Sequence, residues 1–329
     1  MRFSEIIGHD EAIRMLQKAI ASGRISHSYL FSGPDGVGKE TVARIFAKVL
    51  NCKEGGVDAC ERCTSCRKAE KGIHPDISTI RPDGNTIKIE EIREMQREVA
   101  LKSLEGRWKV KILVDAEKMT KEASNCLLKT LEEPPPNSII ILVSSDPDRL
   151  LPTVISRCQA FRFGAMGEGE LSKILMERFG LSEVEAEMLA VISSGRVGKA
   201  IGMIEEGGLV VKNRVIDALS SVTLGKAWIP AVAEMLSSDK GRLELVLDIS
   251  FLWARDLWIS SLGLGRIVNV DREEEIRGIG SELGREKVEL LIGLLTRAKE
   301  LINRNVNPQL VWETTLWEWK GVVEGWKGL

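Results

Sequence analysis

Apolar residues recur along this chain with two periods, and the change from one to the other divides the sequence. Near the start, Tyr29, Leu30 and Phe31 sit together within Ser28–Ser32, a short apolar stretch that predicts a buried strand. A glycine-rich loop follows. Val42, Ile45, Phe46 and Val49 then recur at helical spacing. Further β-rich runs lie at Ile77–Ile80, Val110–Val114 and Ser138–Val143, and the polar helical stretches Glu90–Leu101 and Lys121–Glu133 fall between them. Strands alternating with helices predict a parallel sheet wrapped by helices. The alternation stops near Phe163.

From Gly167 onward the strand signal fades. Glu168–Arg178 and Ser182–Ser194 read as short helices, and Gly207-Gly208 closes a third. Leu243, Leu247, Phe251, Ala254 and Trp258 mark one helical face; Val288, Leu291, Ile292, Leu295, Ala298 and Ile302 mark another. The fold class expected is therefore α/β followed by all-α. Seven of the eight tryptophans fall after residue 220: Trp228, Trp253, Trp258, Trp312, Trp317, Trp319 and Trp326. They serve either interhelical packing or an oligomer interface, where aromatic residues are enriched.

Composition narrows the classes. With 329 residues, 43% hydrophobic and 29% charged, the chain is of ordinary globular make-up and long enough for two or three domains. Lys and Arg number 46 against 48 Asp and Glu, a net charge of −2, so no strongly basic arm advertises nucleic-acid binding. Apolar runs such as Ile139–Val143 reach five residues, against roughly 20 for a membrane span. The N-terminal MRFSEIIGHDEAI lacks the long apolar core and small-residue cleavage site of a secretory signal. A cytoplasmic location is expected, with the six cysteines free or metal-bound rather than paired.

Gly33-Pro34-Asp35-Gly36-Val37-Gly38-Lys39 fits G-x-x-x-x-G-K, the loop whose backbone N–H groups and lysine cradle phosphates at a helix start. The strand before and helix after are the context that this motif requires. One position departs. Glu40 stands where a Ser or Thr hydroxyl would ligate Mg²⁺, and Thr41, one later, points about 100° away on a helix. Lys39 and the glycines Gly33, Gly36 and Gly38 argue for bound ATP or ADP; Glu40 argues against. Ile112-Leu113-Val114-Asp115 resembles a Walker B element, whose Asp holds Mg²⁺; the alternative is a plain strand-end turn. Ala116 stands where hydrolysing proteins carry Glu. Glu117, one step further, is expected on the opposite side of an extended backbone.

Cys52, Cys60, Cys63 and Cys66 put four thiols in fifteen residues, with C-x2-C spacing that suits one tetrahedral structural Zn²⁺. An iron–sulfur cluster or free thiols are the alternatives; the usual cluster spacing and trailing proline are absent. The motif sits as an insert, residues 52–66, in the α/β part. His74-Pro75 is a further ligand candidate, or shapes the turn into the next strand. Ser156-Arg157-Cys158 follows the last strand read here. Arg157 is either a surface arginine or one that projects to a neighbour's γ-phosphate.

Taken together, FSEIIGHDEA, HSYLFSGPDGVGK, the four cysteines, HPDI (His74–Ile77), IKIEEIREM (Ile87–Met95) and the stretch Asn125–Cys158 resemble subunits of the bacterial DNA polymerase III clamp loader, an AAA+ family. The resemblance spans residues 1–163 strongly. It continues through the lid, and later rests on helical character and on NVNPQL (Asn305–Leu310). It implies a P-loop parallel-sheet domain with a zinc module (1–163), a small helical lid (164–210) and a helical collar that oligomerises (211–329). It also implies a hetero-pentamer with tau/gamma and delta subunits that loads the sliding clamp onto primer–template DNA. Two kinds of subunit share this architecture. The tau/gamma motor hydrolyses ATP; the delta-prime kind does not, and offers the arginine of Ser-Arg-Cys, here Arg157, in trans. Glu40, Ala116 and Gly198, the last in place of a phosphate-sensing lid arginine, all accord with the delta-prime kind, and Arg196 and Lys199 flank Gly198. Ser144 or Ser145 would hold the first sensor position. The other readings are an active tau/gamma-type motor, and a zinc-module nucleic-acid-binding protein whose Lys53, Arg62, Arg67, Lys68 and Lys71 are offset by nearby acidic residues.

Overall fold

The computed structural model describes residues 1–263 and 265–325, so Trp326 lies outside the described residues. The chain divides into two compact units, residues 1–166 with 196–198, and residues 167–195 with 199 onward.

In the first unit, α1 (Asp10–Ser22) precedes β1 (Ser28–Ser32), and α2 (Lys39–Leu50) follows the glycine loop. Next come α3 (Thr64–Glu70), β2 (Ile77–Ile80), α4 (Ile89–Ala100), β3 (Lys109–Leu113), α5 (Lys121–Glu132), β4 (Ser138–Ser144), the short α6 (Pro152–Ile155) and β5 (Gln159–Arg162). All five strands are parallel, in the order β2-β3-β4-β1-β5. β1 and β4 are buried along their whole length, which is why they read as continuous apolar runs rather than alternating ones.

Successive residues of these strands feed two cores. Tyr29, Phe31, Val110, Ile112, Ile139 and Ile141 pack with Val42, Phe46 and Val49 of α2; Leu30, Leu113, Ile140 and Leu142 pack with Ile92 and Met95 of α4 and Leu127 and Leu131 of α5. The fifth strand escaped the sequence pattern because only Phe161 of its four residues is buried. It is an edge strand, with a single face to declare itself.

The second unit is all-helical: α7 (Glu168–Phe179), α8 (Glu183–Ile192), α9 (Val197–Glu205), α10 (Gly208–Thr223), α11 (Ile229–Ser237), α12 (Leu243–Ser261), α13 (Glu273–Asn303) and α14 (Pro308–Glu324). The first two residues of α9 belong to the first unit. Gly207 does not simply close a helix as the pattern suggested. It is the left-handed N-cap from which α10 departs. α13 is broken at Gly284, packs along α12, and is joined there by α14, which also covers α11. Trp253, Trp312 and Trp319 are fully buried, Trp253 and Trp319 stacked at 5.9 Å, whereas Trp228 and Trp317 are exposed. The packing reading therefore holds for Trp253, Trp312 and Trp319. No described helix is long and apolar enough to cross a membrane.

Candidate functional site

The glycine loop leaves β1 at the carboxyl edge of the sheet. Gly33 has φ 147°, and a Cβ there would lie 1.9 Å from the Phe163 carbonyl oxygen, so only glycine lets the loop pass the chain beyond β5. His9 Nε2 donates to the Val37 carbonyl at 2.8 Å and fixes the middle of the loop. Lys39 is almost fully buried and turns back on its own loop. Its ammonium donates to the Gly33 carbonyl at 2.5 Å and the Pro34 carbonyl at 2.8 Å, with Asp35 at 3.6 Å. Burial lowers its pKa, partly opposed by Asp35, Glu117 and Asp115. Gly36 and Gly38 both have positive φ and complete the turn into α2. Glu40 is taken by Arg81 at 2.5 Å, with Arg44 at 3.7 Å. Thr41 is exposed and lines a cleft with Arg44, Ile45 and Lys48, turned from the loop as the helical spacing predicts.

The end of β3 departs from the sequence expectation. Val114 joins Val37 and Val42 in the core on the α2 side. Asp115 is left-handed (φ 53°), and its carboxylate pairs with Lys118 at 2.9 Å. The backbone then turns through a 3-10 segment, Ala116–Lys118. Glu117 is therefore not carried to the far side of an extended strand. The left-handed residue swings it inward, where its Oε1 accepts from the backbone N–H of Ser145 at 3.0 Å and from the Ser145 hydroxyl. Glu117 is 8% exposed, and its Oε2 is buried with no hydrogen-bond partner. Burial raises its pKa, but the donors of Ser145, its own backbone N–H and the Ser144 hydroxyl together outweigh that and hold the carboxyl below the ordinary glutamate value. Ser144 is wholly buried at the end of β4. Gly198 completes this edge. A Cβ there would lie 2.8 Å from the Gly36 carbonyl oxygen, so residue 198 has no room for any side chain. Lys199 points elsewhere, to Asp248 and, at 3.3 Å, to Glu244 of α12.

The four thiols of Cys52, Cys60, Cys63 and Cys66 lie within 4.8 Å of one another, with Cys60 and Cys66 sulfurs 3.9 Å apart. A tetrahedron of about 2.3 Å Zn–S bonds has edges of about 3.8 Å, so the cluster can hold one metal ion. The chain supplies knuckle bonds: Cys63 N–H donates to the Cys60 sulfur at 3.4 Å, and Cys66 N–H to the Cys63 sulfur at 3.3 Å. Burial opposes ionisation of Cys63, yet the donated amides bring its pKa down to about 6, while burial pushes Cys66 up.

His74 is not a fifth ligand. Its Nδ1 accepts from the Asp76 N–H at 3.2 Å, and its Nε2 meets the hydroxyl of Ser65 on α3 at 3.0 Å. Asp76 does the work that sequence reading missed. Its buried carboxylate accepts the backbone N–H groups of Leu104 (2.7 Å), Glu105 (2.8 Å) and Gly106 (2.7 Å). Asn51 grips the same loop, accepting from Trp108 N–H at 2.9 Å and donating to its carbonyl at 3.0 Å. HPDI was visible as a motif, but nothing local names a partner about 30 residues away. Burial raises the Asp76 pKa, and the three amides more than reverse that, so it lies below the usual carboxylate range. A carboxyl depressed on folding stabilises above its unfolded pKa near 4, and that stability is lost as pH falls through the lower folded value. Asp76→Ala should destabilise the first unit by about 3 kcal/mol at neutral pH, read as a lower denaturant midpoint with faster amide exchange at 104–106. An unchanged midpoint would show that the loop holds itself.

Arg157 follows α6 and is 35% exposed. Its Nη1 donates to the Thr153 carbonyl at 2.9 Å, and its Nη2 lies 2.7 Å from Glu132 Oε1 at the end of α5. Sequence reading did not single out Glu132, although it lies within the stretch Asn125–Cys158 that carried the resemblance. Ser28 Oγ donates to the Arg157 carbonyl at 2.6 Å. Cys158 is partly buried, and the desolvation pushes its thiol up to about 11.

Comparison with known proteins bears on this arrangement. The profile of the family described as "DNA polymerase III, delta subunit" matches residues 8–167. The DNA polymerase III subunit delta' of Bacillus subtilis (strain 168) is 31% identical over 308 residues, which cover 90% of this chain and 92% of that one. The tau subunit of the same organism is 28% identical and matches 96% of this chain, which spans 61% of tau's length. Among solved structures, a DNA polymerase III gamma subunit-related protein of Thermotoga maritima aligns with a TM-score of 0.45 at 19% identity, over 94% of this chain and 99% of that one.

Proposed function

The chain belongs to the DNA polymerase III clamp-loader family of delta-prime and tau/gamma subunits, and on that premise we propose that it serves as a delta-prime subunit. In this reading it hydrolyses no ATP and lends Arg157 to the nucleotide site of an adjacent motor subunit. It works in the cytoplasm, in a hetero-pentamer with tau/gamma and delta subunits that places the sliding clamp on primer–template DNA. Residues 1–163 form the AAA+ domain, 164–210 the lid and 211–329 the collar. The cysteine cluster holds a structural Zn²⁺.

The observation that carries this reading is the state of the groups that a hydrolytic site would use. Lys39 spends its ammonium on its own loop, Glu40 is paired with Arg81, and Asp115 with Lys118. Val114 is apolar, and buried Ala116 cannot take a proton. Gly33, Gly36, Gly38 and Lys39 keep a loop into which ATP or ADP could still settle, but Mg²⁺ would find no hydroxyl at residue 40. Thr41 faces away, and Asp115 would have to leave Lys118.

One observation favours the motor reading. Glu117, with its free buried Oε2 near Lys39, sits where a base could act on water. The two readings part in a single assay. The purified chain should show no steady ATP turnover above background. Turnover abolished by both Lys39→Ala and Glu117→Gln would establish a motor instead.

A further inference from the structure

We infer that Glu132 is the positioning residue for Arg157, holding its guanidinium in place before a neighbour's phosphate arrives. The inference rests on the reading that Arg157 acts in trans.

The geometry is specific. An arginine side chain loses much rotamer freedom when it is fixed, and a guanidinium that must meet a phosphate in one orientation pays that cost at the moment of reaction unless it is already paid. A guanidinium has five N–H donors in a rigid plane. Here Thr153 takes one through Nη1 and Glu132 one through Nη2, the Ser156 hydroxyl lies 3.5 Å from Nη1, and the other donors stay available at a partly exposed site. The plane is thus set by protein acceptors without being consumed by them.

Both ends of the pair are anchored to neighbouring residues at the start of β1. His27 Nε2 donates to the carbonyl of Leu131, beside Glu132, at 3.1 Å, and Ser28 Oγ donates to the carbonyl of Arg157 at 2.6 Å. Two consecutive residues therefore fix the backbone of the carboxylate and the backbone of the guanidinium relative to each other. Glu133, Pro134, Pro135 and Pro136 follow, and the prolines stiffen the chain as it leaves α5.

The test is kinetic and uses the assembled loader. Glu132→Ala should lower kcat at the adjacent site about two- to tenfold, the loss expected when one long side chain is no longer immobilised beforehand, with KM for ATP unchanged. Glu132→Gln, which keeps an acceptor, should recover part of the rate. In an Arg157→Ala background, Glu132→Ala should change nothing more. A wild-type or faster rate for Glu132→Ala, in a loader that Arg157→Ala slows, overturns the positioning role and leaves the trans reading standing. A wild-type rate for Arg157→Ala itself overturns the trans reading. In the free full-length chain, nitrogen NMR of the Arg157 guanidinium, assigned by its loss in Arg157→Lys, should show hindered rotation that Glu132→Ala releases. Free rotation in the wild type would equally overturn the inference.

Discussion

A reconstituted loader carrying Arg157→Ala in this subunit should lose roughly a thousandfold in turnover at the one ATP site which that arginine faces, and with it most clamp loading. The size follows from what a guanidinium does to a phosphoryl group in transition. It meets charge spread over the equatorial oxygens, which is where a guanidinium stabilises most. Arg157→Lys should rescue little, because an ammonium is a point charge without the planar fork. The free subunit should be nearly indifferent, since a half-exposed ion pair adds little to stability. Equal thermal midpoints for variant and wild type, beside a collapse of loader turnover, would assign the effect to chemistry in the neighbour. Normal turnover would mean that the arginine is only a surface residue.

Stripping metal should have the second-largest effect. The chain should bind one zinc ion, released by a strong chelator or by Cys63→Ser, and the segment from Cys52 to Cys66 should then lose its protection from hydrogen exchange. Structural zinc sites of this ligand type contribute on the order of 10 kcal/mol to folding of their modules. Metal affinity should fall with pH, because each sulfur must shed its proton to bind. Native mass spectrometry before and after chelation gives the stoichiometry. A metal-free chain with unchanged exchange over residues 52–66 would show that the thiols are packed without need of an ion.

Much of this was legible beforehand, and the limits have physical causes. The strand at Ser28–Ser32 announced itself because it is buried on every side, and the helix after it because its large apolar residues recur at helical spacing. The cysteine cluster was legible because metal geometry acts through short spacing, and its sulfurs do converge. Glu117 lies elsewhere than its position in the sequence suggests because the extended backbone does not continue past β3. A left-handed aspartate, which residue type permits but does not demand, reversed the side chain's direction. Asp76, Asn51 and Glu132 were invisible for another reason. Their partners lie 25 or more residues away, and nothing in a local pattern encodes which amide or guanidinium they meet. Gly198 stands where the resemblance places a sensing arginine, and the backbone approach at Gly36 leaves no volume for a side chain there.

The loop between α4 and β3 has a mechanical consequence. Asn51 and Asp76 stand at the two roots of the cysteine-bearing insert, and both are stitched to residues 104–108. The insert is therefore not a bead on a swivel. A pull or twist applied to it by another protein would pass through both roots at once into the same loop, and so to the first residues of β3. Load taken at the tip would be delivered to the strand that ends beside Glu117, which makes the insert a lever whose fulcrum is the pair of roots.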